Sequence, residues 1–251
     1  MDLGLADRVV LITGAGGGAG PTLVEAFAAE GAAVAVHYRS SADRAESAAE
    51  RIRSDGGRAI AVGADLDSTD QIGEMIATIE RELGTVAVLV TATSAYRNDA
   101  FGEIDDDAWD SVVNDLLGAT FRACRAVAPG MAAEGFGRIV NIAARSGLVG
   151  VSKAAHYGAA KAAIVGLTAS LAKELGPKGI LVNAIAPTQI LTHKDGKPSI
   201  PEERHADMAK SIPIRRLATP EDLAGLAVWL GSAANTYVSG QTITLSGGAQ
   251  S

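Results

Sequence analysis

Tyr157 and Lys161 stand four residues apart in SKAAHYGAAKAAIVGLTASLAKELG, a run whose composition predicts a helix. On a helix that spacing puts a phenol and an ammonium on one face. An ammonium beside a phenol stabilises the phenolate and lowers the tyrosine pKa, which suits a general acid or base. A second group lies near the start of the chain, where Gly14, Gly16, Gly17, Gly18 and Gly20 crowd the run TGAGGGAG. Glycine amides can approach a pyrophosphate with no Cβ in the way, and a helix beginning near Pro21 turns its positive end toward the anion. The two groups together describe proton transfer beside a bound dinucleotide.

Such residues need a scaffold, and the first fifty supply its pattern. RVVLITG predicts a strand, the glycine run a turn, PTLVEAFAAEG an amphipathic helix and AAVAVHY a second strand. Pro21 just inside the helix and Gly31 just past it mark both boundaries. Further strands are predicted at 58–64, 85–92, 138–144, 180–186 and 241–246, with helices between them, long ones at 105–134 and 155–176 included. Continuously apolar strands separated by helices predict a doubly wound α/β fold, a parallel sheet covered on both faces. With neither a repeat nor a Ser/Gly/Pro-rich linker in sight, residues 1–251 are expected to form one Rossmann-like domain. The irregular stretch at 187–212 follows a strand end and is expected to be a substrate loop, or else a plain insertion.

Composition narrows the partners. The chain carries 29 acidic against 22 basic residues, a net charge of −7, and no basic run, so nucleic acid and anionic membrane surfaces are poor candidates. Its 47% hydrophobic content can build a large core without disulfides. The single Cys124 is expected to be a small buried hydrophobe. His37, His156, His193 and His205 show no ligand spacing beside it, so no metal is expected. The start MDLGLADRVVLITG lacks signal-peptide features and no apolar run is long enough to span a bilayer, so a cytoplasmic location is expected. A small-molecule substrate is what remains.

The coenzyme can be read more finely. An NAD site would place a carboxylate at the end of the second strand, on the adenosine ribose. This chain reads His37-Tyr38-Arg39-Ser40-Ser41 there. A missing carboxylate and an available guanidinium favour NADP(H), unless Arg39 is only a solvated loop charge. Asp65, after the third strand, is placed to accept from the adenine amino group or to cap the next helix.

The ordered pieces Thr13-Gly14-x-x-x-Gly18-x-Gly20, Asp65-Leu66, Gly137-Arg138-Ile-Val-Asn141-Ile, Tyr157-x-x-x-Lys161, Val182-Asn183-Ala-Ile-Ala-Pro187, Thr192, Ile212-Pro213 with Arg216, Pro220-Glu221-Asp222, Ser239-Gly240-Gln241 and Gly247-Gly248 run along the whole chain. With them the chain resembles the short-chain dehydrogenase/reductase family, and within it the 3-oxoacyl-ACP reductase-like members. The resemblance implies that Tyr157 gives or takes the substrate proton while hydride passes to or from nicotinamide C4. Lys161 would hold the nicotinamide ribose and tune Tyr157. Tyr38, Arg39, Ser40, Asp65, Leu66, Thr91 and Ala92 would line the coenzyme, and Pro187, Thr188, Ile190 and Thr192 would border its carboxamide. A homotetramer is implied, with a dimer next, joined by the two long helices with their Ala123, Ala126, Ala160, Ala163 and Ala169. Tyr96, Leu148, Val149, Ile190 and the loop around His193 are expected to line a pocket for a mostly apolar molecule.

The chain also departs from that family's pattern. Thirteen residues before Tyr157, where the family has a serine, stands Ala144; seven after Trp109, where it has an asparagine, stands Leu116. Phe121, twelve after Trp109, keeps the register. Thr91-Ala92-Thr93-Ser94 replaces an Asn-Asn-Ala-Gly run, and Thr188 replaces a glycine. Losing one donor to a developing oxyanion costs ~10²–10³ in rate. Ser146, Thr93, Ser94 and Arg145 are the candidates to replace it. The expectation is an NADPH-dependent reductase of a carbonyl, C=C or C=N group. The alternative is a coenzyme-binding protein that performs elimination, isomerisation or a regulatory or partner role.

Overall fold

The computed structural model describes residues 2–194 and 197–249. Its strands are β1 (Val9–Thr13), β2 (Ala33–Tyr38), β3 (Arg58–Gly63), β4 (Val86–Thr91), β5 (Gly137–Ile142), β6 (Ile180–Pro187), β7 (His193–Lys194), β8 (Lys197–Pro198) and β9 (Thr242–Leu245). Its helices are α1 (Gly20–Ala29), α2 (Ala42–Ser54), α3 (Thr69–Glu82), α4 (Asp106–Val113), α5 (Ala119–Ala133), α6 (Ser146–Val149), α7 (Ala155–Leu175), α8 (His205–Lys210) and α9 (Pro220–Gly231). Seven strands form one parallel sheet in the order β3-β2-β1-β4-β5-β6-β9. This is the Rossmann-like α/β fold the strand pattern predicts.

The apolar runs explain the layers. Successive strand residues face opposite sides, so β1 sends Val10 and Ile12 to one face and Val9 and Leu11 to the other. The first pair joins Leu23 and Phe27 of α1, Ile52 of α2 and Leu223 and Ala227 of α9. The second joins Ile72 and Ile79 of α3, Val127 and Met131 of α5 and Leu175 of α7. Cys124 lies in this second layer, and burial pushes its thiol up to about 12, so it packs as a hydrophobe.

Strand ends fall within a residue or two of their predicted places. The helix predicted at 105–134 does not run uninterrupted: one π turn, Asn114–Gly118, separates α4 from α5. Asn114 and Gly118 are weak helix formers and the apolar pattern carries no signal for a π turn. Nor is the stretch 187–212 irregular throughout. It contains the antiparallel pair β7–β8, a 3₁₀ turn at Glu202–Arg204 and α8, over a small core of Ile200, Ile212 and Leu217 with Leu191 and Met208. These apolar residues are too scattered to show a period. Among the described residues, no helix is long and apolar enough to cross a membrane.

The strand order reverses between β1 and β4, and in open α/β sheets ligands bind outside the strand ends at such a point. The glycine turn follows β1, the 92–100 loop follows β4, and α6 and α7 follow β5.

Candidate active site

The chain leaves β1 through Gly14 at φ +69°, where a Cβ would stand 2.8 Å from the Ala92 carbonyl oxygen. Only glycine fits both the dihedral and that approach. Gly16 abuts Ser41 and Gly20 abuts Ala15. Gly17 and Gly18 are different: both are exposed, and no heavy atom lies within 4 Å of where their Cβ atoms would be. Open space over these backbones, at the amino end of α1, is room for an anion.

At the end of β2 the Tyr38 ring lies across Gly63, 3.0 Å from where a Cβ there would stand. Arg39 is neither solvated alone nor free: its Nη1 donates to Asp115 Oδ1 in the π turn at 2.7 Å, and this ion pair raises its pKa. Ser40 beside it is exposed. Asp65 does not cap α3. Its Oδ1 accepts from the Asp67 amide at 3.0 Å, and the cap is Ser68, which accepts from Gln71 N. Leu66 is a core residue, so any coenzyme contact there falls to its backbone. The Thr91 hydroxyl likewise turns inward, donating to Asn141 Oδ1 at 3.0 Å, while Asn141 Nδ2 donates to Thr168 at 3.0 Å. Ala92 donates its amide to the Thr13 carbonyl at 3.1 Å, beside Gly14.

Tyr157 and Lys161 share one face of α7, as their spacing predicts. α6 presses on that face at Gly147, where a Cβ would lie 2.6 Å from the Lys161 carbonyl carbon. Lys161 is 3% exposed and its Nζ donates to the Ile142 carbonyl at the end of β5, 2.7 Å away. Burial pushes this ammonium down to about 8. Nζ stands 5.9 Å from the Tyr157 ring centroid. The Tyr96 ring meets Tyr157 edge-on, centroids 5.1 Å apart at 81°. Burial first, and Tyr96 second, push Tyr157 up to about 12. Packing therefore reverses the lowering expected from the spacing. Nζ is turned to a carbonyl, and desolvation of the phenol outweighs it. At neutral pH the phenol keeps its proton.

The family model described as enoyl-(acyl carrier protein) reductase matches residues 14–250, which is nearly the whole chain. The chain belongs to the short-chain dehydrogenase/reductase family. Nodulation protein G of Azospirillum brasilense is 34% identical over 244 residues, 97% of this chain and 98% of that protein. The 3-oxoacyl-(acyl-carrier-protein) reductase FabG of Staphylococcus epidermidis is 33% identical over 242 residues, 96% of this chain and 98% of that one. A gluconate 5-dehydrogenase from Burkholderia cenocepacia J2315, solved with NADP and tartrate, superposes with a TM-score of 0.90 at 29% identity, covering 99% of this chain and 97% of that one.

In this short-chain dehydrogenase/reductase Leu116 and Ala144 are packed apolar. Leu116 is fully buried, clustered with Val112, Ala160 and Tyr157, and Ala144 is buried after β5. Arg145 and Ser146 follow Ala144 into α6, with the Arg145 amide donating to the Pro187 carbonyl at 2.9 Å; Thr93 is half-buried and Ser94 exposed after β4. Thr188 ties β6 to β9 through its amide, 3.0 Å from the Leu245 carbonyl. Ile190 bridges to Ala218, and the Thr192 amide donates to Ser199 Oγ at 3.0 Å. Leu148 and Val149 are exposed on α6, whereas the His193 side chain lies outside the described residues.

Two contacts had no sequence signal. Asp115 meets Arg39 from 76 residues away. His156 Nε2 lies 3.2 Å from Asp99 Oδ2, which Arg97 also meets at 2.8 Å, so the loop carrying Tyr96 is tied to the first turn of α7.

Proposed function

We propose that the chain reduces a small, mostly apolar substrate at C=O, or at C=C or C=N, with Tyr157 as general acid and Lys161 as its tuner. At the broader level it is an NADP(H)-dependent oxidoreductase. Its residues fit that coenzyme: Gly17 and Gly18 leave the start of α1 open, and the exposed Arg39 follows β2 where a carboxylate would repel a 2′-phosphate. Tyr38, Ser40 and Asp65, with the backbone of Leu66, would hold the adenosine end. Ala92, the Thr91 backbone, Pro187, Thr188, Ile190 and Thr192 would border the nicotinamide end, and Lys161 its ribose.

When bound, the coenzyme supplies the hydride. Tyr157 gives its proton to the substrate atom that gains charge, and the phenolate regains a proton from solvent. The observation that carries the reading is Tyr157 one helical turn before the buried Lys161, whose Nζ donates to the Ile142 carbonyl at the end of β5. Tyr96, edge-on to Tyr157 and 54% exposed, brings a second phenol beside the first.

A second reading, a coenzyme-binding scaffold without redox turnover, is favoured by the apolar Leu116 and Ala144. Incubating the protein with NADPH and a panel of ketones, enones and imines separates the two. Loss of NADPH absorbance with at least one class is expected; flat traces despite coenzyme binding support the second reading. The homotetramer is part of the proposal. It draws support from Trp109 and Phe121, exposed on α4 and α5, and from Ala162, Ala163 and Gly166, exposed on α7.

A further inference from the structure

His37 is buried at the end of β2, and its ring bridges two neighbouring strand ends. The Gly14 amide donates to its Nδ1 at 3.1 Å, and its Nε2 lies 3.0 Å from the Ala64 carbonyl oxygen. Because Nδ1 accepts, Nε2 must carry the proton and donate, which fixes one neutral tautomer. The backbone repeats the tie, with the Ala15 amide on the His37 carbonyl at 3.1 Å. Gly14 opens the glycine turn, and Ala64 precedes Asp65 on the adenosine side.

We propose that His37 is the positioning residue of the glycine turn: as the neutral imidazole it fixes Gly14 for the dinucleotide, and protonating it loosens the turn and weakens coenzyme binding. An imidazolium presents N–H at both nitrogens, so the Gly14 amide would face a donor. The charged groups facing the ring are Arg39, beyond β2, and Asp65, beyond β3; the turn after β1 adds none. Burial, the largest influence, holds the imidazole below its ordinary 6.5; the Ala64 hydrogen bond and Asp65 raise it, and Arg39 lowers it. The neutral form thus prevails at neutral pH, and the positioning is lost as pH falls through that lowered value.

The inference rests on the coenzyme reading, and one calorimetric experiment keeps the two apart. NADP⁺ is titrated into the full chain, into His37→Asn and into His37→Phe, from neutral pH down to the lowest pH at which all three stay folded. His37→Phe is expected to bind about tenfold more weakly at neutral pH, and His37→Asn, whose amide both accepts and donates without titrating, to restore binding. The ratio of wild-type to His37→Asn dissociation constants should then rise on acidification, by up to about tenfold per pH unit. Titration of the coenzyme's own phosphate cancels in that ratio. A flat or falling ratio overturns the proposal, and so does undiminished binding by His37→Phe. If His37→Phe does not fold, the ratio alone decides. Absence of any binding by the wild type at neutral pH would remove the coenzyme reading along with the inference.

Discussion

Arg39 already has a partner within the chain, and that partner is the carboxylate of Asp115. For its guanidinium to clamp a 2′-phosphate as proposed, the contact with Asp115 must open or be shared, so the pair would set how strongly NADP(H) is preferred. Arg39→Ala is expected to weaken NADPH binding by about 10- to 100-fold, the ~1.5–3 kcal/mol of a charge-assisted hydrogen bond, and to leave NADH nearly unchanged. Asp115→Asn frees the guanidinium and removes the negative charge beside it. Since exposed ion pairs contribute ~0.2–1 kcal/mol, NADPH binding should tighten by up to about fivefold. Fluorescence titration of both variants with both coenzymes checks this. Equal losses for NADPH and NADH in Arg39→Ala would show that Arg39 does not read the phosphate.

At the level of elements, what the sequence made legible follows from where each signal resides. Parallel strands buried on both faces must be apolar throughout, so VVLIT and AVAVHY announce themselves without partners in view. Glycines between a strand and a helix mark a turn because of what they lack, and Tyr157 and Lys161 share a face because helix geometry is fixed. What stayed hidden depends on contacts distant in sequence or on solvent. The π turn at Asn114–Gly118, which carries both Leu116 and Asp115, leaves no trace in the apolar pattern. The direction of the Tyr157 shift required two facts of packing: the phenol is buried, and Tyr96 meets its ring edge-on. His37 reads as the apolar end of a strand, and only the approach of Gly14 and Ala64 shows why a histidine is there.

For the whole molecule, the sheet gathers pieces from residues 9 to 245 so that the glycine turn, Tyr96, Lys161 and the β6 end meet along one edge. The alanines expected to join subunits divide between two duties. Ala123 and Ala160 are buried within the chain, while Ala163 is exposed on α7 and free to meet another copy. Sedimentation equilibrium should find four chains of 25.5 kDa; a single-chain mass would contradict the proposed assembly. The proposed reaction depends on Tyr157 as the proton donor. Its most direct test compares NADPH oxidation by the wild type and by Tyr157→Phe on the best acceptor, with coenzyme affinity measured in parallel. With a general acid removed, kcat is expected to fall by ~10²–10⁴ with the NADPH dissociation constant unchanged; a phenylalanine variant that turns over at the wild-type rate would rule Tyr157 out as the donor.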